Sequence, residues 1–322
     1  MHSIPKIEEW MDGEQCVLPN GIILWARAHP QAKKYAVHVT VAVGAADDPP
    51  DRPGCAHCFE HIPFRGAGRF CSSREISAPL EEWAGGSNAS TSPVDTRFHV
   101  DFDPAIISHG CEVIASMICD PHFDGVEIER QTILEEYQNS RMDAGSRAVD
   151  DAAAAMFVDE QWRRPVLGTV ESIKTMNAKH LSDFHRQWYT GDRMIVTIVG
   201  PGENQELIDL MAIYFGKVPP GTGQPHQPAA PTVPAIRRQF HHTKWELPGT
   251  LAACANVFPL EFASDDTADM FVGMLIAGAS SPLYQRLREE KAYCYSCQLA
   301  THSYRGFQLV EFNAFTSMER LQ

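Results

Sequence analysis

Apolar residues recur at every second position in several short stretches of the chain. The clearest stretch alternates five apolar residues with smaller or polar ones; the apolar positions are Tyr35, Val37, Val39, Val41 and Val43. A period of two places one side of a strand against a core, so this stretch predicts a β-strand. The same alternation in "TRFHVDF" (96–102) and "RMIVTIVG" (193–200) predicts two more strands, and an Asn20-Gly21 turn leads into another at 22–28.

Helical patterns lie between these strands. One helix is expected to begin at Ser72 or Ser73, and a second opens at Asp103-Pro104 and runs to about Cys119. The longest helical stretch, 124–160, is expected to break near Gly145. Runs of strands followed by runs of helices predict an α+β fold, in which helices pack on a mostly antiparallel sheet.

A proline-rich segment divides the chain. Six prolines fall between Pro219 and Pro234, which favours an extended, semi-rigid spacer. We therefore predict a first half at 1–218, a linker at 219–234 and a second half at 235–322. The second half is much the smaller, so we expect it to be incomplete.

Composition narrows the classes of function. The chain has 322 residues, of which 44% are hydrophobic and 21% charged, as is usual for a globular protein. Its formal charge of −14 argues against nucleic acid as a partner, because phosphate binding needs a basic face. The sequence has neither a signal peptide nor an apolar run long enough to span a membrane, which predicts a cytoplasmic protein. The odd number of scattered cysteines, nine, fits reduced thiols better than disulfides.

The segment "GCAHCFEHIPFRG" (54–66) contains two overlapping motifs. His57 and His61 lie one helical turn apart, so both imidazoles can face a single ion, and Glu60 lies on the same side as a candidate general base. Cys55 and Cys58 form the competing motif, a pair spaced for a redox or zinc-ribbon site. Pro63 is expected to end the helix just after His61.

A catalytic zinc takes three protein ligands and keeps one open position, so the third ligand must come from elsewhere. In "ERQTILEE" (129–136), Glu129 and Glu136 project from one helix face, whereas Glu135 points about 100° away from Glu136. One of the first two could bind zinc while the other supports a histidine ligand. The alternative is an acidic helix face exposed to solvent.

The 54–66 segment resembles the G-x-A-H-x-x-E-H-x-x-F-K-G segment of the pitrilysin and insulysin family of inverzincin metallopeptidases, which also contains the mitochondrial processing peptidase. "LPNG", "GGSNAST", "ERQTILEE", "LGTVESI" and "MIVTIVG" occur in the family's order and at similar spacing. The resemblance implies His57, His61 and Glu136 as ligands of one Zn²⁺ per chain, Glu60 as catalytic base, and Glu129 as the acidic residue that supports a ligand. It also implies two related α/β halves.

Further residues follow from the same resemblance. "GGSNAST" would pair with the substrate backbone by strand addition, with Asn88 and Ala89 near the cleavage point. "SSPLYQRLREEKAYCYS" is similar to a second-half segment of the family, which implies Arg288 as a substrate contact and Tyr295 as a group at the scissile carbonyl.

The implied activity is that of a zinc endopeptidase acting on peptides or small unfolded proteins, as a homo- or hetero-dimer. A catalytically silent partner of the same fold is the second hypothesis, favoured by the short second half. The third is a metal or redox module that combines Cys55 and Cys58 with the pair Cys294 and Cys297, which would leave the His and Glu spacing unexplained.

Overall fold

The structure is a computed structural model, and it describes residues 13–222, 232, 251–259, 265–304 and 307–317. Its strands are β1 Glu14–Val17, β2 Ile23–Ala28, β3 Tyr35–Val41, β4 Gly86–Thr91, β5 Thr96–Phe102, β6 Met194–Gly200, β7 Leu251–Pro259, β8 Ser296–Tyr304 and β9 Phe307–Ser317. Its α-helices are α1 Cys55–His61, α2 Ser73–Glu82, α3 Ile107–Cys119, α4 Val126–Met142, α5 Ala144–Met156, α6 Glu160–Arg163, α7 Val170–Thr175, α8 Ala178–Trp188, α9 Asn204–Phe215, α10 Asp265–Ile276 and α11 Pro282–Tyr284.

The first six strands form one sheet in the order β1-β2-β6-β3-β5-β4. Four of the neighbouring pairs are antiparallel, and the pair β2 and β6 is parallel. The sheet is therefore mixed but mostly antiparallel, and the α+β prediction is confirmed. The three strands that the period of two predicted, β3, β5 and β6, lie side by side at its centre.

One face of this sheet is covered by helices. α1, α3 and α9 pack on it, and the strand residues beneath them, such as Val37, Val39 and Phe98, are fully buried. On the opposite face the alternate residues His38 and Arg97 are exposed. Because side chains of a strand alternate between faces, the sequence pattern alone fixed which face meets the core.

Local signals explain where the helices begin and end. The Ser72 side chain accepts a hydrogen bond from the backbone N–H of Glu75 and caps α2. Asp103 caps the short 3-10 turn Pro104–Ile106 that leads into α3. α1 ends at His61, and a 3-10 turn, Ile62–Phe64, follows it, as the position of Pro63 predicted.

The predicted helix break near Gly145 is confirmed and lies two residues earlier, at Asp143. The chain leaves helical geometry at Asp143, whose carboxylate accepts a hydrogen bond from Ser146 N at 2.7 Å and so starts α5. Gly145 lies inside α5. A capping side chain therefore outweighed glycine as the signal for a new helix.

The chain divides into two compact units, Met1–Ile133 with Val166–His226, and Leu134–Pro165 with Gln227–Gln322. The first contains the six-stranded sheet. The second contains the antiparallel sheet β7-β9-β8, with α5 packed on β7 and α10 on β8. Most of the predicted linker 219–234 lies outside the described residues, and the division at 218 and 235 stays a prediction. Across the described ranges, no helix combines the length and apolar character needed to cross a bilayer.

Candidate metal centre

The helix α1 carries the paired histidines, and its start is fixed by two residues. The buried carboxylate of Asp48 accepts hydrogen bonds from Gly54 N at 2.5 Å and from Ala56 N at 2.8 Å. Gly54 has φ 87°, and a Cβ there would lie 2.7 Å from the carbonyl oxygen of Leu167, so only glycine fits. These contacts fix the direction in which α1 presents its side chains.

His57, His61 and Glu136 come together. One imidazole nitrogen of each histidine and one carboxylate oxygen of Glu136 all lie within 4.8 Å of one another. Among the described residues, this is the group of at least three histidine, cysteine or acidic side chains gathered closely enough to hold a metal ion. Two imidazoles and one carboxylate are a donor set that suits zinc and keeps a fourth position open. The residues present therefore fit a zinc ion.

Glu129 forms a hydrogen bond with the imidazole ring of His61. Its Oε2 atom lies 3.2 Å from His61 Nδ1, and its Oε1 atom lies 3.3 Å from Nε of Arg65. A carboxylate only accepts, so His61 Nδ1 donates, and the lone pair of the neutral ring is left on Nε2. A metal-binding histidine usually has its other nitrogen hydrogen-bonded in this way. Glu129 is largely buried, which leaves Glu136 as the more accessible carboxylate of the pair.

Glu60 is buried on α1, the helix that packs on β4 and β5. It precedes His61 on α1, and its Oε2 atom accepts a hydrogen bond of 2.5 Å from the hydroxyl of Thr91. Thr91 ends β4, the strand that packs beside α1. The candidate general base is thus connected to the sheet as well as to the histidine helix.

β4 forms one edge of the six-stranded sheet. Within the described residues it pairs only with β5, in the register that sets Asn88 opposite His99 and Ala89 opposite Phe98. Asn88 is exposed, and Ala89 is half-buried. An edge strand carries unpaired backbone N–H and C=O groups, so its position is suited to accepting an extended peptide.

Arg288 and Tyr295 lie together in the second unit. The guanidinium carbon of Arg288 is 5.5 Å from the ring centre of Tyr295 and 5.0 Å from that of Tyr284. Tyr295 is 71% exposed, so it is not part of a core. An exposed aromatic ring beside an arginine is consistent with a contact surface for another molecule.

Cys55 and Cys58 face into the protein interior. Both are almost completely buried, and burial raises the pKa of the Cys55 thiol far above its usual range, with Asp48 adding to the effect. A thiol held neutral in this way behaves as a small apolar side chain. Their burial therefore favours a packing role for both cysteines over the redox or zinc-ribbon site that their spacing suggested.

Three residues of the centre were not singled out from the sequence. Thr91 is the last residue of the "GGSNAST" segment, Arg65 follows His61 by four positions, and Asp48 precedes the helix by seven. The signals available in the sequence were a basic residue near the motif, Arg65, and an acidic residue before the start of a helix, Asp48. Neither signal identifies the residue that the side chain contacts, because that residue belongs to a different element of the fold.

Two sequence profiles of one family match nearly the whole chain. The profile described as insulinase (peptidase family M16) matches residues 24–170, and the profile described as peptidase M16 inactive domain matches residues 175–322. The first match contains every residue of the metal centre.

Curated relatives carry matching names. An uncharacterized zinc protease of Mycobacterium leprae (strain TN) is 29% identical over 201 residues, which cover 62% of this chain and 45% of that protein. One of Streptomyces coelicolor is 28% identical over 292 residues, covering 87% and 62%. The mitochondrial-processing peptidase subunit beta of Blastocladiella emersonii is 27% identical over 209 residues, covering 64% and 45%. The chain thus spans less than two thirds of the length of these relatives.

Solved structures share the fold. A protease from Helicobacter pylori superposes with a TM-score of 0.80 at 20% identity, covering 95% of this chain and 75% of that one. A peptidase M16 inactive domain from Pseudomonas fluorescens superposes with a TM-score of 0.84 at 14% identity, covering 96% and 75%. The profiles, the relatives and the shared fold together show that this chain belongs to peptidase family M16, the family of insulinase and pitrilysin.

Proposed function

We propose that the protein is a zinc-dependent endopeptidase that hydrolyses peptides or small unfolded proteins. The observation that carries this proposal is the approach of His57, His61 and Glu136 to one another beside the buried Glu60. Relatives named zinc proteases support the same activity. One zinc ion would be held by those three ligands in each chain.

The positions of the chain's own residues support a role for each of them. Zinc bound at this centre would supply Lewis acidity to the peptide carbonyl and to water. Glu60 would accept the proton of the attacking water and pass it to the leaving amine. Glu129 would keep the His61 ring oriented through Nδ1, at the 3.2 Å distance that the structure shows.

Substrate binding is assigned to two places. The free edge of β4 would pair with the backbone of an extended peptide, with Asn88 and Ala89 near the cleaved bond. Arg288 would contact the substrate, and the exposed Tyr295 would donate a hydrogen bond to the oxyanion that develops on the carbonyl. The proximity of these two side chains supports a shared role.

One experiment tests the activity. Bound zinc and cleavage of a mixed peptide library are measured for the wild type and for Glu60→Gln. We expect both proteins to retain zinc and only the wild type to cleave, because Glu60 is a base and not a ligand. Cleavage of equal rate by both would contradict the proposal.

A silent partner of the same fold is the second candidate. It is favoured by the name of the profile that matches residues 175–322, an inactive domain. The relative named as a subunit of a mitochondrial-processing peptidase supports a hetero-oligomer in either case, and the homo-dimer stays a prediction. If neither the wild type nor Glu60→Gln cleaves while both bind zinc, the silent role is the one supported. A cytoplasmic location stays a prediction, supported by the free thiols of the described cysteines.

A further inference from the structure

Glu60 accepts a hydrogen bond from Thr91, a residue of β4, the strand that the substrate would join. The hydroxyl of Thr91 donates to Glu60 Oε2 at 2.5 Å, across 31 positions of sequence. We propose that Thr91 is a positioning residue, which sets the orientation of the Glu60 carboxylate and so determines how effectively it accepts a proton. This inference rests on the proposed endopeptidase function and deepens it.

The side chain of Thr91 is suited to this role. A β-branched side chain in a strand has a restricted χ1 angle, so its hydroxyl points in one direction. The opposite residue on β5 is Thr96, which is fully buried and donates to the carbonyl oxygen of Val43 at 2.9 Å. The end of β4 is therefore held by the body of the sheet, and the donor that meets Glu60 has a fixed position.

The choice of oxygen matters for the reaction. A carboxylate rotates about its last bond unless one of its oxygens is held. Thr91 engages Oε2, so the contact also fixes the direction in which Oε1 points. A base that is already held in the productive orientation does not lose conformational entropy to reach that orientation during the reaction.

The same strand connects the base to the substrate. A peptide added to the free edge of β4 would bond to its backbone, whereas Thr91 reaches Glu60 with its side chain. Ala89 and Thr91 lie two residues apart and share one face of the strand. Correct seating of the peptide on β4 and correct orientation of Glu60 therefore depend on one element.

The test compares two variants of Thr91 with a matched control. Thr91→Val keeps the shape and removes the donor, Thr91→Ser keeps the donor, and Thr40→Val makes the same change on β3 of the same sheet. We expect Thr91→Val to lower kcat about tenfold to a hundredfold on a quenched fluorescent peptide library, with KM unchanged. Thr91→Ser should recover most of the loss, and Thr40→Val should resemble the wild type.

Two readouts besides activity separate positioning from general damage. Zinc affinity, measured by chelator competition, should be unchanged in every variant because Thr91 contacts no ligand of the set. In the metal-free protein, Thr91→Val should lower Tm by about 2–4 °C when Glu60 is present, and by clearly less in the Glu60→Ala background.

Each other outcome overturns the inference. Wild-type kcat in Thr91→Val, a parallel loss of zinc affinity and kcat, or the same Tm shift in both backgrounds would each show that Thr91 does not act through Glu60. Absence of cleavage by the zinc-loaded wild type is a different result, since it removes the proposed function itself and the inference with it.

Discussion

His61 Nδ1 and Glu129 Oε2 lie 3.2 Å apart, and Arg65 approaches the other oxygen of the same carboxylate. The contact joins α1 to α4 and uses the ring nitrogen that a metal does not need. Because α4 also carries Glu136, one helix would supply both the proposed acidic ligand and the support of a proposed histidine ligand. The orientation of the centre therefore depends on residues that would never touch the ion.

Replacing Glu129 with glutamine should weaken zinc binding about 10–100-fold, because the amide cannot hold the His61 ring with a carboxylate's charge. Chelator competition measures the affinity. Glu127→Gln, an exposed position two residues earlier on α4, is the matched control and should bind like the wild type. An unchanged affinity in Glu129→Gln would show that the contact does not orient the ligand.

Asp48→Asn should destabilise the protein by about 1–3 kcal/mol, because the buried carboxylate accepts charge-assisted hydrogen bonds from Gly54 N and Ala56 N. Urea unfolding of the metal-free protein gives the free energy. Asp51→Asn, at an exposed site nearby, should change it little. A variant as stable as the wild type would mean that the start of α1 is held by other contacts.

Stability should fall as the pH is lowered, partly through His185. Burial lowers the pKa of this imidazole, and its hydrogen bond to the carbonyl oxygen of Ile118 offsets only part of that effect. As the pH falls, the His185 imidazole is therefore protonated at a higher pH in the unfolded chain than in the folded protein. The stabilising contribution is complete above about pH 6.5 and is lost as the pH falls through the lowered value.

The measurement is the free energy of unfolding of the metal-free protein at pH 7.5 and 5.5, for the wild type and His185→Gln. The variant should show a smaller decrease between the two values. His29→Gln, on the surface, serves as control. Equal decreases in wild type and His185→Gln would assign the pH dependence to other groups, such as His38, His109 and His180, whose pKa values are also lowered by burial.

Cys55→Ala and Cys58→Ala should each bind zinc in the same amount and with the same affinity as the wild type. Both side chains are buried in the packing of α1, and neither belongs to the group of His57, His61 and Glu136. Their loss should lower Tm modestly because a small void remains. Zinc content that falls with either change would support the cysteine module instead.

The sequence predicted those features that repeat locally. Strands β3, β5 and β6 were visible because their alternate residues are buried, and α1 ended at His61 because Pro63 cannot continue a helix. The parallel pairing of β2 with β6 was not predicted, because it joins segments about 170 positions apart. No local pattern encodes such a pairing.

The candidate site shows the same limit. The spacing of His57 and His61 predicted that they share a helix face, and they do. Between Glu129 and Glu136, spacing left the ligand open. In the structure Glu136 groups with both histidines, whereas Glu129 contacts His61 Nδ1, which favours Glu136 as the ligand and leaves the choice a prediction. Thr91 and Arg65 were missed because each meets its partner only in the folded chain: Thr91 on β4 contacts Glu60 on α1, and Arg65 contacts Glu129 on α4.

The edge strand β4 has a consequence for the behaviour of the protein in concentrated solution. An open strand can template the joining of identical chains, and long, apolar edges are the most prone to do so. β4 has six residues, "GSNAST", all of them small and none strongly apolar. We expect such an edge to give little adhesion to a second copy, which would guard the protein against aggregation while leaving the strand open to the proposed peptide.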